Sequence, residues 1–330
     1  MNGTASQRSD IAVLRQSDFN AHLPESDVLK SLRRAFEGLG KGTAIQPPQS
    51  YGLVDGHLDV IWYPAILAEQ NVFGAKLSPY FFKRTDGGPK VTAWTILFSA
   101  STGEPVLLCD SLALTTERTA ATTALAVQLL LPANASRLLV VGAGNAGLAH
   151  LRYACAINDW SQIKIYSRTL KQKSSPFESL PQSFQDRLSI ADSLQSAVEN
   201  SDVILLCTSS GTPVIDTNWL KPNQLVTSIS TNVPNAHEIA PAALPHLDVY
   251  CDYRPNAPRA AGEMKLAAAN HSWDPKEIRG DLPELVTSRG PRPSGTKPIF
   301  FRSIGLGIED LAIACELLAQ SNNASTQKGS

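Results

Sequence analysis

The chain has 330 residues, of which 43% are hydrophobic and 18% are charged. This mixture excludes a disordered chain, which lacks the apolar surface needed to offset chain entropy. The 29 Lys and Arg residues nearly balance the 30 Asp and Glu residues, so a net charge of −1 provides no basic field for nucleic acid or an anionic membrane. No apolar stretch reaches the ~18 residues of a membrane-spanning helix, and the length allows about two domains.

The cysteines and histidines form no recognisable metal motif. The five cysteines occur singly, and the six histidines are equally dispersed, so we predict no metal site. An odd, scattered set of cysteines is typical of buried thiols in a reducing compartment. The polar residues 1–10 contain no apolar core of a signal peptide. These features predict a cytoplasmic protein.

The first third of the chain combines a helix with several β-rich runs. Apolar residues recur at helical spacing over residues 27–39, and Gly40 follows as a stop signal. Runs of β-branched and aromatic residues, separated by turn signals, predict three strands, at residues 58–63, 91–98 and 105–109. An Ala- and Leu-rich helix follows from about residue 116 to residue 131, where Pro132 ends it.

From residue 137 onward, short apolar strands alternate with helices. The predicted strands are residues 137–141, 163–166, 202–207, 225–229 and 249–252, and the predicted helices are residues 144–157 and 194–199. This alternation is typical of a parallel sheet with helices on both faces. A last helix, residues 308–319, begins with Glu309 and Asp310, which suit the positive end of the helix dipole. We expect it to return to the first domain.

A glycine motif lies between the first strand and the first helix of this alternating region. Residues 142–147 read GAGNAG, in the strand–loop–helix context that a dinucleotide-binding G-x-G-x-x-G motif requires. Gly142 would make the tight turn, Gly144 would let the pyrophosphate approach, and Gly147 would let helix and strand pack closely. Asn145 and Ala146 complete the predicted cofactor-binding loop, whose helix N-terminus would face the phosphates. A glycine-rich turn without a ligand is the weaker alternative.

The residues after the second strand of this region indicate which dinucleotide is bound. An NAD-binding domain usually places Asp or Glu there to accept from the ribose 2′-hydroxyl. This chain has Ser167, Arg168 and Thr169 instead. Arg168 would pair with a 2′-phosphate, and its two neighbours would donate to it. The sequence therefore favours NADP over NAD; the alternative is that Arg168 is a solvated residue at a strand end.

Two cations of the first domain lie in apolar surroundings. Lys76 lies in the segment FGAKLS, and Arg118 stands near the start of the Ala-rich helix. A charge in such surroundings needs a partner, and the bidentate geometry of Arg suits a carboxylate. A substrate carboxylate is one candidate. Equally supported alternatives are a surface lysine at residue 76 and an ion pair of Arg118 with Glu117 or Glu309.

The chain resembles the ornithine cyclodeaminase/mu-crystallin family from about residue 45 to residue 318. Separate motifs carry the resemblance in the family's order: GAKL at 74–77, RTAA at 118–121, VGAG at 141–144, SDVI at 201–204, RAAGE at 259–263 and SIGLGIED at 303–310. The resemblance implies that Lys76 contacts the substrate carboxylate or acts in proton transfer, and that Arg118 binds the carboxylate. It implies a homodimer, and it implies that the nicotinamide is lined by Thr92, Thr208, Ile229 and Ser303.

With this resemblance, the predicted fold is α/β, with a Rossmann dinucleotide-binding domain inserted in a discontinuous α+β domain. The Rossmann domain comprises residues 121–299. The discontinuous domain, residues 1–120 plus 300–330, would bind substrate and form the dimer interface.

Two positions depart from the family pattern. Asn232 stands where the cyclodeaminases have an Asp that handles the substrate amine, and a neutral amide cannot serve as that base. Gln49 stands where the family usually has an Arg that helps to grip the carboxylate. Both positions are predicted to bind substrate. Asn232 disfavours the cyclisation of ornithine with loss of ammonia, and Gln49 implies either that carboxylate binding rests on Lys76 and Arg118 alone or that the substrate differs.

The favoured interpretation is an NADPH-dependent reductase that converts a cyclic imino acid, such as a pyrroline- or piperideine-2-carboxylate, to a cyclic amino acid. Lys76 and Arg118 would be its catalytic residues: both would hold the carboxylate. Lys76 would also supply or relay a proton if burial or Arg118 lowers its pKa. The alternatives are an amino-acid dehydrogenase or cyclodeaminase of the same family, and a protein that binds NADPH and a small ligand without turnover.

Overall fold

The computed structural model of the protein describes residues 11–18, 23–54, 57–168, 170, 182–231 and 235–328. The chain divides into two compact units. Unit 1 comprises Met1–Arg118 and Leu306–Ser330, and unit 2 comprises Thr119–Gly305.

Unit 1 contains a seven-stranded sheet. Its strands are β1 (Ala12–Leu14), β2 (Ala44–Ile45), β3 (Ser50–Val54), β4 (Leu58–Leu67), β5 (Val72–Phe81), β6 (Trp94–Ser99) and β7 (Pro105–Asp110). Its helices are α1 (Glu25–Lys41), the first part of α2 (Leu112–Leu130) and α9 (Gly307–Lys328). The strand order is β1-β7-β6-β5-β4-β2, with β3 paired to β4. β1 runs parallel to β7, and the other pairs are antiparallel.

The helices of unit 1 bury one face of this sheet. α9 packs across β4, β5 and β6, and α1 packs against α9. α1 turns its buried residues Val28, Leu32 and Phe36 to this core, and it ends where Gly42 adopts a left-handed φ of 80°. The predicted helix at 27–39 is thus confirmed and is longer at both ends. β5, which carries Lys76, was not predicted.

Unit 2 contains an eight-stranded sheet in which every pair is parallel. The strands are β8 (Arg137–Val141), β9 (Gln162–Tyr166), β10 (Leu188–Ile190), β11 (Val203–Leu206), β12 (Leu225–Ser228), β13 (Asp248–Cys251), β14 (Gly280–Asp281) and β15 (Ile299–Arg302). The helices are the rest of α2, α3 (Asn145–Ile157), α4 (Gln182–Gln185), α5 (Leu194–Glu199), α6 (Ala257–Ala260), α7 (Gly262–Asn270) and α8 (Leu282–Val286).

The strand order of unit 2 positions a ligand crevice. The order is β10-β9-β8-β11-β12-β15-β13-β14, so the chain moves outward from β8 in one direction and then resumes on its other side at β11. Ligands of doubly wound sheets bind outside the carboxyl ends of the strands at such a switch point. β11 and β12 are buried along their whole length, which explains their continuous apolar runs. The predicted α/β fold with a Rossmann domain is confirmed.

Within the described ranges, no helix combines the length and the apolar character needed to cross a membrane.

Candidate functional site

The glycine loop between β8 and α3 has the geometry of a phosphate cradle. Gly142 has a φ of 119°, and a Cβ there would lie 2.5 Å from the carbonyl oxygen of Cys207. A Cβ at Gly147 would lie 2.0 Å from the carbonyl oxygen of Gly142, so helix and loop touch there. At Gly144 no atom lies within 4 Å of the Cβ position, and the surface is open. α3 begins at Asn145 and no side-chain hydrogen bond caps it at Gly144, and the first N–H groups of a helix have no partner within the helix. These residues fit the pyrophosphate of a dinucleotide.

A single carboxylate, Glu238, ties together the loops that follow β11 and β12. Its Oε1 accepts hydrogen bonds from the amide and the hydroxyl of Thr208, at 2.8 and 2.7 Å. Its Oε2 accepts from the Ser228 hydroxyl at 2.8 Å, the Ile229 amide at 3.0 Å and the Ser230 amide at 3.2 Å. Glu238 is buried. Thr208 and Ile229 are therefore fixed at the carboxyl ends of adjacent strands, where the nicotinamide end of a dinucleotide is expected.

A buried arginine lies beside these loops. Arg302, at the end of β15, is 0% exposed, and its Nε is 3.0 Å from Glu263 Oε1. Its Nη1 donates to the Ser228 hydroxyl at 3.0 Å, and its Nη2 donates to the Ser230 carbonyl. Burial raises the pKa of Glu263, and the charge of Arg302 opposes that rise. Arg302 thus contacts the end of β12 and the loop that follows it, which Glu238 also holds.

The predicted Ser303 is held by a second buried acid. Its hydroxyl donates to Asp252 Oδ2 at 3.3 Å, and the same oxygen accepts from the amides of Ile304 and Gly305, at 2.6 and 3.0 Å. Burial raises the pKa of Asp252 to about 6, against the effect of these amides. Ser303 therefore has a defined place at the carboxyl end of β15.

The predicted determinants of cofactor type lie at the end of β9. Ser167 and Arg168 follow this strand directly, and the Arg168 side chain is exposed. Thr169 falls outside the described residues. Arg168 is placed at the strand end where a 2′-substituent of the ribose is recognised in Rossmann domains.

Lys76 and Arg118 come together in unit 1 on two carboxylates of α9. Lys76 Nζ lies 3.0 Å from Asp310 Oδ1, and Arg118 Nε lies 3.1 Å from the same oxygen. Arg118 Nη1 lies 2.8 Å from Glu309 Oε2. All four side chains are buried. The ion pair between Arg118 and Glu309, one of the alternatives from the sequence, is present. The guanidinium has five N–H donors, more than these contacts use.

Lys76 is poised to exchange a proton near neutral pH. Burial lowers the pKa of Lys76 to about 8; Asp310 opposes this shift, and Arg118 adds to it. Its Nζ lies 4.3 Å from the centre of the Tyr63 ring and donates to Thr115 Oγ1 at 3.3 Å. Efficient proton transfer requires a group with a pKa close to the working pH. A proton-relaying role for Lys76 was expected to require a lowered pKa, and this environment lowers it.

A hydrogen bond and a close backbone contact fix the start of α9 beside β4, the strand that pairs with the Lys76 strand. The Gln46 Oε1 accepts from the Ile308 amide at 3.0 Å, and its Nε2 donates to the Pro64 carbonyl at 3.4 Å. A Cβ at Gly307 would lie 2.5 Å from that Pro64 carbonyl oxygen. This close fit sets the register of Glu309 and Asp310 opposite the two cations. Gln46 was not selected from the sequence, since nothing local marks a glutamine as a cap for a helix far along the chain.

Of the remaining predicted residues, Gln49 and Thr92 lie in unit 1 and Asn232 lies outside the described structure. Gln49 precedes β3, and its Oε1 accepts from the Tyr51 hydroxyl at 2.9 Å. Thr92 precedes β6, and its amide donates to the Pro79 carbonyl at 3.3 Å. Asn232 lies outside the described residues, so its predicted role stays a prediction.

No group of three or more His, Cys, Asp or Glu side chains within the described ranges is arranged to hold a metal ion. The absence of a metal from the working protein stays a prediction.

Comparisons with known proteins agree with this geometry. The chain is 48% identical over 305 residues, covering 92% of it and 95% of the relative, to the NAD(P)H-dependent anabolic L-arginine dehydrogenase DauB of Pseudomonas aeruginosa. It is 26% identical to ketimine reductase mu-crystallin of Macropus fuliginosus, covering 94% of this chain and 97% of that one. Among solved structures, Thermococcus litoralis Delta(1)-pyrroline-2-carboxylate reductase with NADH and L-proline matches with a TM-score of 0.85 at 22% identity, covering 95% and 98%.

The strand order, the glycine loop and the fixed carboxyl-end loops define a nicotinamide-dinucleotide-binding class of protein. The chain belongs to the ornithine cyclodeaminase/mu-crystallin family, whose model matches residues 9–323. The resemblance stated from the sequence is confirmed. The predicted NAD(P)-dependent oxidoreductase acting on C=N or CH–NH bonds is confirmed as well.

Proposed function

We propose that the protein reduces the C=N bond of a 2-imino acid with a reduced nicotinamide dinucleotide, and oxidises the product L-amino acid in the reverse direction. The observation that carries this proposal is a buried lysine with a pKa of about 8 beside a buried arginine. The arginine supplies donors for a carboxylate, and the lysine supplies a proton. Both groups are required at an imine that carries a carboxylate on the same carbon.

Arg118 and Lys76 have different roles in this reaction. Arg118 has N–H groups that its contacts with Glu309 and Asp310 do not use. These groups bind the substrate carboxylate and orient the imine. Lys76 gives a proton to the imine nitrogen, and the lost charge is tolerated because Arg118 still neutralises Asp310. The glycine loop at 142–147, with Thr208 and Ile229, would hold a reduced nicotinamide dinucleotide, which would supply the hydride for the imine carbon. The nitrogen gains the proton, the carbon gains the hydride, and an amine results.

The favoured substrate is a linear 2-imino acid with a basic side chain, of the kind that yields L-arginine. Its support is the name of the relative that is 48% identical over nearly all of both chains. A cyclic imino acid such as pyrroline- or piperideine-2-carboxylate, favoured by the sequence alone, is the second candidate. The ketimine reductase relative supports it, at a lower identity of 26%.

Substrate panels distinguish the candidates. We expect purified protein to reduce NADP⁺ or NAD⁺ with L-arginine, and to oxidise NADPH or NADH with 2-oxoarginine and ammonia, followed at the nicotinamide absorbance. Turnover with cyclic imines and none with L-arginine would favour the second candidate. Oxidation of neither cofactor by any imine would contradict the proposal, and ammonia release without net cofactor change would indicate a cyclodeaminase.

For the cofactor, we propose a preference for NADPH that rests on Arg168. Replacing Arg168 with Ala removes the proposed contact with the 2′-phosphate, and a hydrogen bond to a charged group contributes about 1.5–3 kcal/mol. We expect KM for NADPH to rise by about 10- to 100-fold, the equivalent of that energy. KM for NADH is the internal control and should stay within about two-fold. Equal effects on both cofactors would show that Arg168 does not select the phosphate.

We also propose that the protein acts as a cytoplasmic homodimer. The described edge strand β3 carries apolar side chains that a monomer would leave in water: Tyr51, Leu53 and Val54 are 58%, 71% and 56% exposed. Tyr51 and Leu53 lie on one face of the strand and Val54 lies on the other, and exposed apolar side chains are typical of an interaction surface. We expect sedimentation velocity to give a dimer, and the Val54→Asp variant to shift it toward the monomer. A wild-type monomer at micromolar concentration would contradict the assembly.

A further inference from the structure

The register of β4 and β5 determines which side chains share a sheet face with Lys76. Directly opposite residues of antiparallel strands point to the same face, and every second residue repeats it. Lys76 pairs with Tyr63, Ser78 pairs with Ile61, and Tyr80 pairs with Asp59. The Lys76 face therefore continues along both strands to an aspartate and a tyrosine.

This face is covered at one end and open at the other. α9 begins at Gly307 against the Tyr63 and Pro64 carbonyls, where a Cβ would lie 2.6 and 2.5 Å from the two oxygens. Lys76 and Tyr63 are buried, whereas Ile61 and Asp59 are only partly buried. Along this face of unit 1, Lys76 and Ser78 are buried, and the exposed fraction increases toward Asp59.

Two tyrosines lie on this face. Tyr63 pairs with Lys76 and Tyr80 pairs with Asp59. Burial raises the pKa of both phenols, and the charges of Arg118 and Asp310 also act on them. Neutral aromatic walls of this kind accommodate an aliphatic chain and favour a cation over their faces.

Asp59 provides a negative charge at the open end. Among the residues that the structure describes, no cation lies within ion-pair distance of its carboxylate. Its place along the strand is four residues from Tyr63, which corresponds to about 13 Å of extended backbone. Side chains on one face of a sheet stand roughly parallel to one another, so a ligand must itself bridge most of this separation. A long, positively charged substrate side chain spans such a gap, and a short apolar one does not.

We propose that Asp59 selects the substrate by binding the guanidinium or ammonium group at the far end of its side chain. This face is then complementary to a basic amino acid, with its carboxylate at Arg118 and its side-chain cation at Asp59. A guanidinium offers paired N–H donors that match a carboxylate bidentately. This inference rests on the proposed function for the carboxylate end and adds the residue that chooses the side chain.

L-Arginine and its neutral analogue L-citrulline test the role of Asp59. Binding of each to the protein loaded with NADPH, which cannot accept a hydride from the amino acid, is measured by isothermal titration, separately from turnover. We expect the wild type to bind L-arginine about 10- to 100-fold more tightly than L-citrulline, the range for a hydrogen-bonded charge. Asp59→Asn should bring the two affinities to within about three-fold, and Asp59→Glu should retain a preference for L-arginine.

A matched control is Asp110→Asn. Asp110 pairs with Trp94, whereas Lys76 pairs with the next residue, Thr95, so Asp110 lies on the opposite face of the same sheet. This variant should leave the ratio of the two affinities unchanged. A wild type without a preference for L-arginine, or an Asp59→Asn variant that keeps it, would overturn the inference. Asp59-dependent binding of L-arginine without its oxidation would retain the inference and reject the proposed reaction.

Discussion

Replacement of Lys76 by Met is expected to lower kcat for imine reduction by about 100-fold or more, because a positioned proton donor contributes about 10²- to 10⁴-fold. The Lys76 Nζ is the buried proton-carrying group next to Arg118, at hydrogen-bond distance from Asp310. Carboxylate binding through Arg118 persists in the variant, so KM should change less than kcat. Stopped-flow measurement of the hydride-transfer step under single-turnover conditions isolates this effect from product release.

The protonation state of Lys76 determines how the rates of reduction and oxidation change with pH. Lys76 must be protonated to serve as the acid in reduction, and burial lowers its pKa to about 8. The rate of reduction should therefore fall as the pH rises through about 8, and the rate of amino-acid oxidation should rise over the same interval. The Lys76→Met variant should show neither of these two pH dependences.

Two further variants make the Lys76 test specific. Lys76→Arg keeps the positive charge but cannot release a proton in this pH range, so it should retain binding and lose turnover. Lys83→Met removes an exposed lysine just beyond the end of the same strand and should leave kcat unchanged. Full activity of Lys76→Met at every pH would remove Lys76 from the chemistry.

The second large effect is expected from Arg302→Met, on stability. The guanidinium is fully buried and lies 3.0 Å from Glu263. Removing one partner of a buried ion pair leaves the other charge without compensation, which costs about 3–5 kcal/mol. Urea unfolding followed by circular dichroism measures the loss.

The loss in Arg302→Met should depend on pH in a defined direction. Burial already raises the pKa of Glu263 above its usual range, and the loss of Arg302 removes the charge that opposes this rise. When the pKa of an acid is higher in the folded state than in the unfolded state, the native state binds the proton more strongly. The free energy of unfolding therefore rises as the pH falls toward the pKa of the unfolded state. The variant should thus recover part of its stability in mild acid.

A paired substitution provides the control for Arg302. Changing Arg302 to Met and Glu263 to Leu together removes both charges, and such replacements are often neutral or stabilising. A double variant that is less stable than Arg302→Met alone would show that the cost comes from packing and not from the unpaired carboxylate.

The parts of the fold that follow local rules could be predicted from the sequence. β8 and α5 have the predicted bounds, residues 137–141 and 194–199, because an apolar run and flanking turn signals define each of them. β5 escaped prediction because Gly74 and Pro79 interrupt its pattern. Gly74 is required there, since a Cβ would lie 2.0 Å from the Ile96 carbonyl oxygen of the neighbouring strand.

The candidate site was predictable in its residues but not in its partners. Lys76 and Arg118 stood out as cations in apolar segments, and the resemblance gave them roles. Asp310, which both of them contact, lies 234 residues from Lys76 along the chain, and no local pattern links the two. Glu238 was missed because no local pattern marks a loop acid that accepts from Thr208, 30 residues away, and from residues 228–230.

The return of α9 to unit 1 sets an order in which the protein can fold during synthesis. The ribosome delivers all of unit 2, through Gly305, before it delivers α9. Unit 2 can therefore close its parallel sheet while the sheet of unit 1 still exposes the apolar face that α9 covers. Until α9 docks, Lys76 and Arg118 lack their carboxylates. We expect the nascent chain to acquire its dinucleotide cradle first and its proton donor last, and to depend most on chaperones in the interval between the two.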